Sequence, residues 1–447
     1  MTSNMVVQAN TKANLWGWDT PGKTVSVSVS WSSDRYEAKV GKDGRWLVSV
    51  TTPEASYTPL KITFSDGDDT IALDDVLAGQ VWVCGGQSNM EMPVRGFDNC
   101  PVEGFNQTIA EAANTASVRF AKVKSMQSMK PLDDAQVEWR KCDPNNVADA
   151  SATGYYFARM LHKVLNQPIG IIEANQGGTA VEGWLNRDNL KKYTDETLDS
   201  ASIYAKYFMA RQLVWGNGTF NPILNYTVKG IIFYQGCANV ARSPQTYASR
   251  LALLVDQWRK DLRGGEEMPF YFVEIAPYSY GNCAGTDAAY LRSQQFAATK
   301  LIPNSGMVST NDAVYPDETE QIHPRQKQKV GERLAFYALG QTYGVKGFTY
   351  KSPSYKSMEV KDGKAYIHLA DAYNTVCPLS GIKGFEVAGA DKTFHKAEAW
   401  AENNQIVVKC DEVAEPVAVR YCWHNFELGN VTNQGNLPLI PFRTDNW

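Results

Sequence analysis

Four short stretches of this sequence hold the residue types that acyl transfer needs. The first is Gly85-Gly86-Gln87-Ser88-Asn89-Met90, which ends the apolar run Val81-Trp82-Val83-Cys84. Its glycines let a strand turn sharply without a Cβ clash, presenting the Ser88 hydroxyl and backbone N–H. The second, Asn175-Gln176-Gly177-Gly178-Thr179, follows Gly170-Ile171-Ile172-Glu173-Ala174 and can offer a bare backbone N–H to an anion. The third, Gln235-Gly236-Cys237-Ala238-Asn239, supplies a neutral side-chain donor in Asn239. The fourth, Asp317-Glu318-Thr319-Glu320-Gln321-Ile322-His323-Pro324-Arg325, contains an imidazole. A nucleophile, oxyanion donors and a base are the parts that acyl transfer requires.

Elimination singles out the base. Of the five histidines, His162 falls in a helical pattern, His368 and His395 in β segments, and His424 near the C-terminus. His323 alone sits in a loop ahead of the last helix of the α/β region. Cys84 and Cys237 flank the site but do not occupy the exposed position after the turn, so both read as buried packing residues. None of the eight cysteines forms a CxxC pair, which argues against zinc or iron–sulfur. One or two disulfides are open to an exported protein. Glu91 and Glu182 lie close to the first two blocks, Glu182 either bracing a loop or lying on the surface. Trp184 can stack on a sugar ring or pack in the core. No metal or organic cofactor is expected.

These loops follow strand candidates at 79–84, 116–122, 169–174, 229–234, 269–275 and 306–310. Helical periodicity lies between them: Ala152 to Leu165 stopped by Pro168, a helix opening at Ser243-Pro244, and a last one from about Gln326 to Tyr343. Strands alternating with helices predict a mainly parallel, three-layer α/β/α sheet whose loops gather along one edge. Residues 1–78 instead alternate strictly, as in Thr24 to Trp31, and turn at Lys42-Asp43-Gly44-Arg45 and Ser65-Asp66-Gly67-Asp68. The acidic stretch from Asp66 to Asp69 lacks calcium-ligand spacing and reads as a solvated turn. From 346 the chain reverts to β. The expected organisation is a β-sandwich segment at 1–78, a catalytic domain at 79–345 and a β domain at 346–447, which can pack with the first.

The 447 residues suit two or three domains, and 43% hydrophobic with 21% charged residues is ordinary for a globular chain. The net charge of −4 and the lack of a basic stretch exclude nucleic acid and anionic membrane as favoured partners. No apolar run reaches membrane-spanning length. Strand-like sequence starts almost at Met1, so the expectation is a periplasmic or secreted protein whose export signal has been removed.

The four blocks, in this order, resemble those of the sialate O-acetylesterases, within the SGNH (GDSL-like) hydrolases. Ser3-Asn4-Met5-Val6-Val7-Gln8, Leu15-Trp16-Gly17-Trp18, Tyr155-Tyr156-Phe157-Ala158-Arg159 and Pro441-Phe442-Arg443-Thr444-Asp445 are similar as well, so the likeness covers nearly the whole chain. The resemblance implies a flavodoxin-like catalytic fold, Ser88 as nucleophile and His323 as base. It implies an oxyanion hole made of the Ser88 N–H, the N–H of Gly177 or Gly178, and the Asn239 amide. Gln87, Gln235 and Trp184 are the candidate substrate contacts. The family usually places an aspartate three residues before the histidine; here that position is Glu320, with Asp317 or a backbone carbonyl as alternatives. The family commonly has glutamate and serine where this chain has Cys237 and Ala238. The implied activity is removal of O-acetyl groups from carbohydrate, sialic acid first and acetylxylan second. A binding protein without turnover and a lipid esterase or thioesterase are the rival classes.

Overall fold

In the computed structural model, which describes residues 1–265 and 267–447, strict alternation becomes a half-buried strand. Val25, Val27 and Val29 point inward, while Thr24, Ser26 and Ser28 face out. The chain is an α/β fold with a mixed, mostly parallel central sheet and additional β segments. It divides into two compact units. The first is Met1–Phe233 with Ala252–Phe270, and the second is Tyr234–Leu251 with Tyr271–Trp447.

The first unit begins with β1 (Val6–Gln8), β2 (Lys12–Trp18), β3 (Thr24–Val29), β4 (Arg35–Lys39), β5 (Arg45–Thr51), β6 (Ser56–Ser65) and β7 (Thr70–Gly86). β2 and β5 form a separate antiparallel pair. β3 pairs with β4 and β6, and β6 pairs with the leading half of β7. The trailing half of β7 pairs in parallel with β10 (Ile169–Asn175), Gln80 to Gly86 lying opposite Ile169 to Asn175. One 17-residue strand thus belongs to both the N-terminal β region and the sheet that carries Ser88. With β8 (Val118–Lys122), β9 (Trp139–Lys141) and β11 (Gly230–Tyr234), the order here is β11-β7-β10-β8-β9. β10 and β11 are buried along their whole length. That burial is why these strands read as continuous apolar runs rather than alternating ones. The buried Arg119 on β8 donates to Asp75 Oδ1 at 2.8 Å and to the Asn4 carbonyl at 3.0 Å, fastening β8 to the N-terminal strands.

The helix Ala152–Leu165 starts where Ser151 Oγ accepts the Gly154 N–H. It ends one turn before Pro168, at Asn166 in the left-handed region. Val164 on this helix is 44% exposed. The helix expected from Ser243-Pro244 opens instead as a 3-10 turn over Pro244–Thr246 and becomes α-helical over Tyr247–Asp261. Ser243 adopts φ +47° and caps nothing; its carbonyl is taken by Arg250.

In the second unit β12 (Phe270–Val273) neighbours β13 (Ser305–Val308), with helices Asp287–Leu301 and Lys327–Tyr337 between and after them. Its C-terminal part holds two four-stranded antiparallel sheets. They share a core that includes Ile367, Val387, Ile406, Val408, Val419 and Phe442. All eight cysteines are free in this structure. Among the described residues no helix is long and apolar enough to cross a membrane.

Candidate active site

β7 ends at Gly86 with φ +137°, a backbone angle that a side chain resists. Gln87 then returns to extended geometry and Ser88–Glu91 makes a single helical turn. Every residue from Val81 to Met90 is buried except Ser88. The turn is held from behind. Ser151 Oγ donates to the Met90 carbonyl at 2.6 Å, and Thr153 Oγ1 to the Asn89 carbonyl at 3.2 Å. Ser151 N–H in turn donates to Glu173 Oε1 at 2.7 Å. Glu173 is fully enclosed, and burial pushes its pKa up to about 7. Ser88 Oγ has no hydrogen-bond partner among the described residues of this unit. A single half-exposed hydroxyl therefore stands on a rigid buried support.

The Gly177 loop lies against this turn. A Cβ built on Gly177 would stand 3.4 Å from Ser88 Cβ and 3.0 Å from Glu91 Oε2. Glu91 Oε2 already accepts the Gly177 N–H at 2.6 Å. Of the two glycines named for the oxyanion hole, Gly177 has spent its donor on Glu91. Gly178, at φ +73°, donates to no acceptor among the described residues. Burial raises the Glu91 pKa, while the Gly177 N–H and the Lys122 ammonium draw it down. Thr179 closes the loop by donating to the Gln176 carbonyl at 2.8 Å, and Trp184 Nε1 donates to Thr179 Oγ1 at 3.0 Å.

In the second unit, Asn239 is fully buried on a 3-10 turn after β11. Gln235 Nε2 donates to Asn239 Oδ1 at 2.7 Å, and Tyr247 Oη donates to Gln235 Oε1 at 2.8 Å. Gln295 Nε2 holds the Gln235 carbonyl at 3.0 Å. The Tyr247 hydroxyl thus sets the Gln235 amide, which sets the Asn239 amide with its Nδ2 edge as the donor side. Tyr247 and Gln295 gave no signal in the sequence, where both look like ordinary helix residues.

His323 is half-buried in the loop that follows β13. Burial first, and the Lys327 ammonium second, push its pKa down to about 4. Lys327 is itself buried and donates to the Pro324 carbonyl at 2.8 Å. The imidazole is therefore neutral at physiological pH, the form that accepts a proton. Neither expected carboxylate hydrogen-bonds to it. Glu320 is exposed and accepts from Ser279 Oγ at 2.9 Å. Asp317 is exposed and takes Arg325 through both oxygens, at 2.8 and 3.0 Å. The acid that shapes the loop is Glu318, which is buried and accepts the backbone N–H of Tyr315 at 2.8 Å and of Arg325 at 2.9 Å.

The expected substrate contacts need correction. Trp184 has no exposed surface and packs edge-on against Trp258, so it supports the Gly178 loop and cannot stack on a sugar. Gln87 is 2% and Gln235 1% exposed. The Gln235 amide is turned to Asn239. Cys84 is buried, and burial with the Glu173 carboxylate holds its thiol well above the ordinary range, so it is no nucleophile.

A family model described as "Carbohydrate esterase, sialic acid-specific acetylesterase" matches residues 78–339. The human sialate O-acetylesterase is 30% identical over 95% of this chain and 86% of its own length. The mouse sialate O-acetylesterase is 28% identical over 92% of this chain and 86% of its own. A crystal structure of a carbohydrate acetylesterase from Xanthomonas citri superposes with a TM-score of 0.89 at 31% identity, covering 100% of this chain and 98% of that one. The chain is a carboxylic ester hydrolase and belongs to the carbohydrate esterase family of sialic acid-specific acetylesterases.

Proposed function

We propose that this enzyme removes O-acetyl groups from carbohydrate, that O-acetylated sialic acid is its favoured substrate, and that Ser88 and His323 are its nucleophile and base. The observation that carries the reading is the Ser88 turn: one half-exposed hydroxyl in a buried run, beside the unspent N–H of Gly178. The catalytic fold is read as a three-layer SGNH domain over 79–345 with β segments at 1–78 and 346–447. The enzyme is read as periplasmic or secreted.

In this mechanism Ser88 Oγ attacks the acetyl carbonyl carbon as His323 takes its proton. The carbonyl electron pair moves to oxygen, where the N–H groups of Ser88 and Gly178 and the Asn239 Nδ2 stabilise it. Collapse breaks the bond to the sugar oxygen, which receives the proton from His323. Water then repeats the sequence and releases acetate, restoring Ser88. The pair works as a dyad, with Glu320 and Asp317 outside the chemistry.

The test is acetate release from an aryl acetate, O-acetylated sialic acid and acetylxylan by wild type, Ser88→Ala and His323→Ala. Either substitution is expected to lower kcat by about 10³ or more. Wild-type rates equal to those of both variants would overturn the esterase mechanism. Turnover of acetylxylan but not of the sialate ester would move the substrate to plant polysaccharide.

A further inference from the structure

A cavity of about 620 Å³ lies wholly within the first unit, where β8 and β10 end. Its volume falls in the range of small-ligand sites. Three cations, Lys122, Lys124 and Arg140, and two carboxylates, Glu91 and Glu138, stand on its walls. The carboxylate nearest the nucleophile is already engaged, because Glu91 holds the Gly177 N–H. Arg140 is paired with Asp149 Oδ2 at 3.0 Å. Lys122 and Lys124 form no ion pair among the described residues. Asn175, on the same cavity wall, is only 4% exposed, and its Nδ2 is buried and has no hydrogen-bond partner. A buried amide donor left unmet is costly and calls for an acceptor. Lys122 feels the Glu91 and Glu173 carboxylates without reaching ion-pair distance of either, so two ammonium groups and an unmet amide N–H still lack a close acceptor in this cavity.

The position of this cavity matters as much as its chemistry. Asn175 is the β10 partner of Gly86, two residues ahead of Ser88. Glu91 joins the cavity wall to Gly177, which packs on Ser88. The cavity therefore borders the nucleophile's own turn, within reach of the sugar that carries the ester.

We propose that this cavity is an anion subsite that binds the carboxylate of an acidic O-acetylated sugar through Lys122, Lys124 and Asn175. The inference rests on the esterase reading above and names what that reading leaves open, the group that selects the sugar. A neutral acetylated sugar meets the same hydroxyl at Ser88 but leaves the two ammonium groups and the Asn175 amide unsatisfied.

The experiment compares O-acetylated sialic acid with its carboxyl methyl ester, which removes the charge and keeps the sugar. For wild type, kcat/KM is expected to favour the acid by about tenfold or more, as hydrogen bonds to a charged group allow. In Lys122→Met/Lys124→Met the preference is expected to collapse toward unity, mainly through KM. Lys122→Arg/Lys124→Arg is expected to retain most of it, and Asn175→Ala to lose part. An equal preference in wild type and in the Met double variant overturns the subsite, as does a wild type without preference. Calorimetry with free sialic acid and its methyl ester runs beside the kinetics. If wild type releases no acetate yet binds the acid over the ester, and the double variant does not, the esterase reading fails and the subsite stands. If it releases acetate but binds acid and ester alike, the subsite fails and the esterase reading stands.

Discussion

Around Ser88 the chain is fixed by buried groups. A glycine at φ +137° turns the strand, and Ser151 and Thr153 grip the two carbonyls that follow the serine. Around His323 the chain is fixed by carboxylates, one buried and two exposed. Glu318 gathers two backbone N–H groups, while Asp317 and Glu320 reach outward to Arg325 and Ser279. The support of Ser88 is inherited from the sheet, whereas that of His323 depends on a local polar lattice. Disturbing the first should damage chemistry through small displacements. Disturbing the second should show first in loop stability and pH response.

The most damaging change expected after loss of Ser88 or His323 is Gly177→Ala. Its methyl would meet Glu91 Oε2 at 3.0 Å and Ser88 Cβ at 3.4 Å. A shift of Ser88 by a few tenths of an ångström is expected to lower kcat by about tenfold or more, against about 10² for a full ångström. A variant within threefold of wild type would show that the turn yields more readily than its buried supports suggest. On the other side of the comparison, Glu318→Ala leaves the Tyr315 and Arg325 N–H groups without their acceptor. A loss of about 2–4 kcal/mol in urea unfolding is expected. An unchanged midpoint would mean that water replaces the carboxylate.

Tyr247→Phe probes the amide relay and is expected to lower kcat about tenfold with KM unchanged, because it removes only what aligns Asn239. A rise in KM with kcat intact would assign Tyr247 to substrate binding instead. The smallest effect is expected from Glu320→Gln, within about threefold of wild type, since its carboxylate serves Ser279. A fall of 10² or more would restore Glu320 as the group that orients His323.

The pH profile sharpens the same contrast. With the His323 pKa pushed down to about 4, its basic form persists through mildly acidic conditions. The acid limb of kcat/KM on an aryl acetate is expected near pH 4. A limb between pH 6 and 7 would reveal a carboxylate acting on the ring. Stability has its own sign. A histidine whose folded pKa lies below its unfolded value leaves the unfolded chain binding more protons, so its burial destabilises the fold increasingly as pH falls from 6.5 toward 4. His323→Gln is expected to flatten that part of the stability curve.

The sheet was legible because its strands are buried on both faces. The candidates at 169–174 and 229–234 match Ile169–Asn175 and Gly230–Tyr234 almost residue for residue. The helix expected at Ser243-Pro244 does begin there, but as a 3-10 turn, and Ser243, at φ +47°, makes no side-chain cap. For the site, residue types in the loops were readable but allegiances were not. Nothing in the spacing tells that Gly177 N–H is claimed by a carboxylate 86 residues away. Nor does it tell which of three neighbouring acids at 317, 318 and 320 faces the loop backbone. Trp184 carried a sugar-stacking pattern into a core position because an indole's two uses look alike until its burial is known.

The shared strand β7 bears on how this enzyme can be rebuilt. Residues 70–79 and 80–86 are one continuous ribbon, and Gln8 Oε1 accepts the N–H of Val81 at 2.9 Å just where the second half begins. The N-terminal β region is therefore not a detachable module. Cutting the gene ahead of residue 79 would halve a strand and remove Gln8, the side chain that holds the Val81 N–H on the way to Ser88. Fusion partners and domain exchanges belong before β1, and a shuffled enzyme that keeps its activity should carry the first 78 residues with it.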